Sequence, residues 1–191
     1  MEVCHKLGFC DVDVVTNALS LASHRLMSGA YLRGGMGDGG GCHPRDNIAL
    51  SWLASELKLK HDWYADVMRA REDQTDWLAD LIVEHEGDKV ILGKSFKPET
   101  NLTVGSPSLL LRNLLEERNV RVQSWDPHVD GEEVPDFARR KAVYFIATQH
   151  AYFKSFAFPK GSVVLDPFRY IIDQADVRII RIGSTKTEES Q

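Results

Sequence analysis

Cysteine is scarce in this 191-residue chain: Cys4, Cys10 and Cys42 make an odd set of three, in a sequence that does not open with a charged, then apolar, then small-residue leader. Both points argue against a secreted, disulfide-framed protein and for reduced thiols in the cytoplasm. No apolar run approaches the roughly 20 residues needed to span a bilayer, so no membrane partner is expected. Lys and Arg number 23 against 28 Asp and Glu, without a basic cluster, which leaves out the phosphate-neutralising surface of a nucleic-acid binder. Cys4, His5, Cys10 and His43 fit no common zinc spacing, and no metal is expected. What remains is a chain that is 43% hydrophobic, enough to bury a core.

The patterning changes once along the chain. Val12, Val14, Val15, Ala18 and Leu19 follow Asp11 at near-helical spacing and read as short helices. Seven glycines between Gly29 and Gly41 exclude regular structure there. Pro44-Arg45-Asp46 opens a helix with Ile48, Leu50, Trp52, Leu53 and Leu57. A longer one, from about His61 to Glu86, carries a stripe of Trp63, Val67, Ala70, Trp77, Leu78, Leu81 and Ile82. After Gly87-Asp88 strands alternate with helical stretches: strands at Lys89 to Phe96, Val120 to Trp125, Ala142 to Ala147, Ser162 to Asp166 and Val177 to Ile182, with a helix from Ser106 to Arg118 and helical turns near Pro135 to Arg140 and His150 to Phe156. That grammar implies an α/β fold with a parallel sheet covered on both faces. The boundary falls near residue 87: a central helical segment, 1–87, then an α/β domain, 88–191.

Two phosphate-binding patterns fail on context. Gly35-Met36-Gly37-Asp38-Gly39-Gly40 spells G-x-G-x-x-G, but a dinucleotide fingerprint needs a strand before it and a helix starting at the glycines. Gly93-Lys94-Ser95 lacks the glycine that a P-loop places five positions earlier, where this chain has Asp88.

Taken whole, the stretch from Gly35 through Gly41-Cys42-His43-Pro44-Arg45-Asp46 resembles the G-x-G-x-G-G-x-C-x-P-K-D signature of the UDP-glucose/GDP-mannose dehydrogenase family. A second stretch agrees: Leu92-Gly93-Lys94-Ser95-Phe96-Lys97-Pro98-Glu99-Thr100, Ser106-Pro107 and Trp125-Asp126-Pro127 resemble the family's L-G-x-x-F-K-P-x-T, S-P and Y-D-P series. Ala147-Thr148-Gln149-His150 and Val164-Leu165-Asp166 with Arg169 follow in order. The resemblance implies a Rossmann-like, nucleotide-sugar-binding C-terminal domain. It also implies NAD-dependent, four-electron oxidation of a sugar C6 alcohol to the carboxylate, as in polysaccharide biosynthesis. Cys42 would be the nucleophile that forms a thioester; its place just ahead of a helix N-terminus favours thiolate and developing negative charge. Asp46, one helical turn on, would orient or deprotonate a water. Arg25, Tyr31, Arg33, Gly39 and Lys97 would contact the substrate, and Arg169 the cofactor. The helix at 61–86 would form a homodimer.

Three departures stand out. Asp38 replaces an apolar or aromatic residue beside the sugar, Val104-Gly105 replaces Arg-Glu before Ser-Pro, and Pro167-Phe168 interrupts D-G-R. The family also begins with a Rossmann domain that binds NAD and supplies a catalytic lysine and asparagine, for which this sequence shows no counterpart. The expectation is a partial chain holding nucleophile and substrate pocket without the oxidant. The alternative from another class is a non-catalytic module that binds a nucleotide sugar or only dimerises.

Overall fold

The computed structural model describes residues 35–37 and 39–184, with positions 14, 18 and 21 besides. Helix α1, Cys42–Glu56, begins two residues earlier than Pro44 suggested, with Gly41 as its uncapped N-cap. Pro44 is tolerated as the third helical residue because the first-turn N–H groups have no helical acceptor in any case. Its end is a Schellman turn: Leu59 N–H donates to Ala54 O at 2.9 Å and Lys58 N–H to Ser55 O at 3.0 Å, with Lys58 at φ 51°.

Helix α2, Trp63–Val83, starts where the Asp62 carboxylate accepts from Ala65 N–H at 3.0 Å and from the Ser51 hydroxyl. The expected apolar stripes hold only in part. Ile48 and Trp52 on α1 are 61% and 65% exposed, and Trp63 and Trp77 on α2 are 66% and 47% exposed. The buried face of α2 is Thr75, Leu78, Ala79 and Ile82, in its last two turns.

The five strands are short and all parallel: β1 Lys89–Leu92, β2 Val122–Trp125, β3 Val143–Ile146, β4 Val163–Asp166 and β5 Arg178–Arg181, in the order β2-β1-β3-β4-β5. Strand β1 stops at Leu92 rather than Phe96 because Gly93, at φ 99°, turns the chain out of the sheet. Side chains alternate between the faces as the pleat requires. Ile91, Val143, Phe145 and Leu165 pack on Leu78, Ala79 and Ile82 of α2 and on Leu111 and Leu115 of helix α3, Pro107–Glu117. Val90, Leu92, Tyr144, Ile146 and Val164 face the other way, onto Trp125, Phe153, Phe156 and Phe158. Among the described residues no α-helix covers that second face; the 3-10 turn Ala151–Ser155 and the residues after it present an edge-to-face aromatic cluster there, beside a second 3-10 turn, Asp136–Arg139. The core therefore runs across residue 87: the last turns of α2 are part of the sheet's hydrophobic layer.

Helix α3 is the clearest local success of the sequence pattern. Ser106 caps it, its hydroxyl accepting from Ser108 N–H at 3.2 Å, and Pro107 opens its first turn. It closes in a second Schellman turn on Asn119 at φ 62°.

Candidate functional site

In an open parallel sheet, ligands bind beyond the carboxyl ends of the strands where the strand order reverses. Here that point lies between β1 and β3. The loops leaving these strands, 93–100 and 147–150, meet there over a small cavity of about 110 Å³, walled by Phe96, Lys97, Pro98, Thr148, Phe168 and, from the glycine loop, Met36 and Gly37.

The glycine loop is seated on this crevice, and its glycines are needed for close approach to the protein itself. A Cβ on Gly39 would lie 2.7 Å from Pro107 Cδ, and one on Gly35 2.7 Å from the Phe168 ring. Gly40 donates its N–H to Gly105 O at 3.1 Å, and a Cβ on Gly105 would come within 2.4 Å of Gly40 O. Gly105 is thus a packing requirement of this chain. A larger residue at that position would push the loop away.

Beneath the crevice lies a buried polar network. The Asp126 carboxylate, fully buried at the end of β2, accepts from Lys94 N–H at 2.6 Å, Ser95 N–H at 3.0 Å and His128 N–H at 2.8 Å, and His150 Nε2 lies 3.1 Å from it. Burial pushes this carboxyl up, but the bonds from His150, Lys94, Ser95 and His128 outweigh it and hold the group far below the usual carboxylate range. Glu99 N–H donates to His150 Nδ1 at 3.0 Å. Nδ1 is therefore the unprotonated nitrogen, and Nε2–H is the donor.

Ser95, His150 and Asp126 together have the composition of a nucleophilic triad without its wiring. Ser95 Oγ and Asp126 Oδ2 both lie 3.1 Å from the same nitrogen, Nε2, whereas a triad needs the serine and the acid on opposite nitrogens of the ring. Ser95 Oγ instead donates to Lys97 O at 3.0 Å.

Among the described residues one group has metal-ligand spacing: Glu99, His128 and His150, with donor atoms within 4.8 Å of one another. It does not fit a bound ion. The Nδ1 lone pair of His150 already receives the Glu99 amide, and the His128 and His150 rings lie roughly stacked, 4.5 Å apart and tilted by 34°, so their in-plane lone pairs do not converge. The cluster works as a hydrogen-bond and charge network. Ala151 N–H, and less strongly His128 and His150, hold the Glu99 carboxyl below its ordinary range.

Cys42 is an exposed free thiol and the first helical residue of α1, not a residue ahead of it. Asp46 is exposed on the same helix and pairs with its neighbour, Arg45 Nε to Asp46 Oδ1 at 2.9 Å. Asp46, and to a lesser degree Cys42, push the Arg45 guanidinium's affinity for its proton up. Lys97 is exposed, its Nζ 5.3 Å from the Phe96 ring centroid. Arg169, beside the pocket wall at Phe168, donates from Nη1 to Pro167 O at 2.6 Å and to Ile182 O at 2.9 Å. Gly39 and Lys97 come to one crevice. Arg25, Tyr31, Arg33 and Asp38 lie outside the described residues. No fingerprint loop for a dinucleotide occurs among the described residues: the turn after β1 is closed by Gly93, whose missing Cβ would meet Thr148 N at 2.6 Å.

The glycine loop and the Lys97 loop lie on two sides of one crevice. The profile of the UDP-glucose/GDP-mannose dehydrogenase family, central domain, matches residues 1–72. Residues 1–72 are thus similar to that family's central domain. A GDP-mannose 6-dehydrogenase of Pseudomonas aeruginosa is 35% identical over 109 residues, 56% of this chain and 25% of that protein. A UDP-glucose 6-dehydrogenase of Bacillus subtilis is 27% identical over 131 residues, 66% of this chain and 29% of that protein. The aligned stretch thus spans about a quarter of these curated relatives. Among solved structures, a ternary complex of GDP-mannose dehydrogenase from P. aeruginosa superposes with a TM-score of 0.78 at 23% identity, over 93% of this chain and 47% of that one, a likeness of fold. A UDP-glucose dehydrogenase from Pyrobaculum islandicum gives 0.67 at 25% identity, over 90% and 43%. The α/β fold of this chain is thus similar to that of these dehydrogenases.

The network around His150 was missed by sequence reasoning. Its members stand in motifs that were noticed, Trp125-Asp126-Pro127 and Ala147-Thr148-Gln149-His150, but nothing in their spacing says that they meet.

Proposed function

We propose that this chain supplies the nucleophile and the sugar-nucleotide side of a nucleotide-sugar 6-dehydrogenase. The observation that carries the reading is the pairing of an exposed thiol at the head of α1 with a glycine loop seated against the Lys97 loop at the sheet's switch point. Relatives named for GDP-mannose and for UDP-glucose both support the substrate class, a nucleoside diphosphate sugar oxidised at C6. Lys97 would hold the substrate, with Arg25, Tyr31, Arg33 and the backbone at Gly39. Arg169 would contribute to the cofactor side while keeping its two carbonyl bonds.

A nicotinamide dinucleotide, when bound, would supply the hydride acceptor. The chain's own steps are the two that need no oxidant. The Cys42 thiolate adds to a C6 aldehyde, forming the S–C bond while the carbonyl oxygen takes a proton, which retains the aldehyde on the protein. At the acid level, water attacks the Cys42 thioester. The C–S bond breaks, the carboxylate leaves and a proton passes to Asp46 or solvent. Cys42 is the first residue of α1, and the positive end of the helix dipole there would favour thiolate and the developing oxyanion. The Arg45–Asp46 pair is exposed on both sides, so solvent weakens it and Asp46 can turn to a water at little cost.

A homodimer through α2 is the matching assembly, supported by Trp63 and Trp77, large apolar groups on its open side. No described helix is long and apolar enough to cross a membrane, and a cytoplasmic setting would keep Cys42 reduced. The rival reading, a module that binds nucleotide sugars or dimerises without catalysis, lost one of its supports when Gly105 proved to be a packing necessity. Cys42→Ser in the full-length context separates the two: the thioester route predicts loss of turnover with substrate binding retained, and an active variant would sink it.

A further inference from the structure

We infer that His150 is the positioning residue for Lys97, pinning the lysine's loop at two points placed evenly about it. This rests on the substrate-side reading of Lys97 given above. Residues 95 and 99 stand two positions before and two after Lys97, and both are tied to the same fully buried imidazole. Ser95 Oγ lies 3.1 Å from Nε2, and Glu99 N–H donates to Nδ1 at 3.0 Å. The ring's own orientation is fixed by the buried Asp126 carboxylate, 3.1 Å from Nε2, which also takes the Lys94 and Ser95 amides.

The rest of the loop is tied in the same sense. Ser95 and Thr100 hydroxyls both donate to Lys97 O, at 3.0 and 3.2 Å, and Thr148 Oγ1 donates to Ser95 O at 2.8 Å. Glu99 sits at φ 55°, a conformation unfavourable for a side-chain-bearing residue, and its carboxylate accepts from Ala151 N–H at 2.7 Å, next to His150. A strained residue held on both its amide and its side chain is what keeps the chain arched, with Lys97 at the crest and at the cavity wall. His150 does not line the cavity itself, so its action on a ligand runs through the loop it pins, of which Lys97 is the charged member.

Asn at position 150 keeps an acceptor for the Glu99 amide but no Nε2–H; Gln keeps the far donor and loses that acceptor. The test measures dissociation constants for UDP-glucose and GDP-mannose by calorimetry in the full chain and in Lys97→Met, His150→Asn, His150→Gln and the double variants. Lys97→Met should weaken binding about tenfold, the size of one charge-assisted hydrogen bond. Each His150 variant should weaken it by a similar factor, and a double variant should be no weaker than Lys97→Met alone. If the two effects multiply, or His150 variants bind as the parent does while Lys97→Met does not, the positioning role is overturned. If Lys97→Met has no effect, the substrate role of Lys97 fails, and amide hydrogen exchange decides the pinning by itself. The Glu99 amide should be protected in the parent and in His150→Asn and lose protection in His150→Gln. An unprotected Glu99 amide in the parent overturns the inference. Where a His150 variant does not fold, Ser95→Ala, which removes the hydroxyl from Lys97 O, enters the same cycle with the same expected non-additivity.

Discussion

The N–H of Gly40 donates to the carbonyl of Gly105 at 3.1 Å, backbone to backbone, with no room for a methyl group between them. This contact joins the loop ahead of Cys42 to the segment that caps α3. Gly105→Ala should destabilise the chain by about 3 kcal/mol, from a sub-contact Cβ added to a φ of 71°. Gly87→Ala is the control. Its φ is 111° with nothing within 4 Å, so only backbone strain of about 1–2 kcal/mol applies. Urea unfolding of both variants checks the difference; equal losses would mean that the loop is not seated.

Asp126 should dominate the acid sensitivity of the α/β unit. Its carboxyl lies below the usual 3.8 in the folded state. The associated stability is therefore fully present above the unfolded value and declines as pH falls below it. Asp126→Asn should cost about 3 kcal/mol at pH 7, by leaving buried donors poorly matched. The gap to the parent should narrow toward pH 3, as measured by chemical denaturation at the two pH values. A gap that widens in acid would contradict the assignment.

Much of this could be read from the residues. Ser106-Pro107 announces the start of α3, and short runs rich in β-branched and aromatic residues announce the strands, because both signals are local. The buried network could not be read, because Ser95, Asp126 and His150 are joined only by the strand order β2-β1-β3, which no local pattern encodes. Exposure was misjudged on α1 and α2 for the same reason. Ile48, Trp52, Trp63 and Trp77 are apolar at helical spacing, yet the sheet takes only the last two turns of α2. The glycine loop was legible as a loop, but its close partners, Pro107, Phe168 and Gly105, lie far away in sequence.

The central claim is that Cys42 lies beside a bound nucleotide sugar, and Cys42 is exposed enough to be alkylated. The most direct measurement is the rate at which iodoacetamide labels Cys42, followed by peptide mass spectrometry, with and without UDP-glucose or GDP-mannose at concentrations that calorimetry shows to be saturating. The account predicts that the sugar nucleotide which binds slows Cys42 labelling at least severalfold while UDP or GDP alone slows it less, because the sugar covers the thiol. Labelling of Cys42 at an unchanged rate in the saturated complex would contradict it.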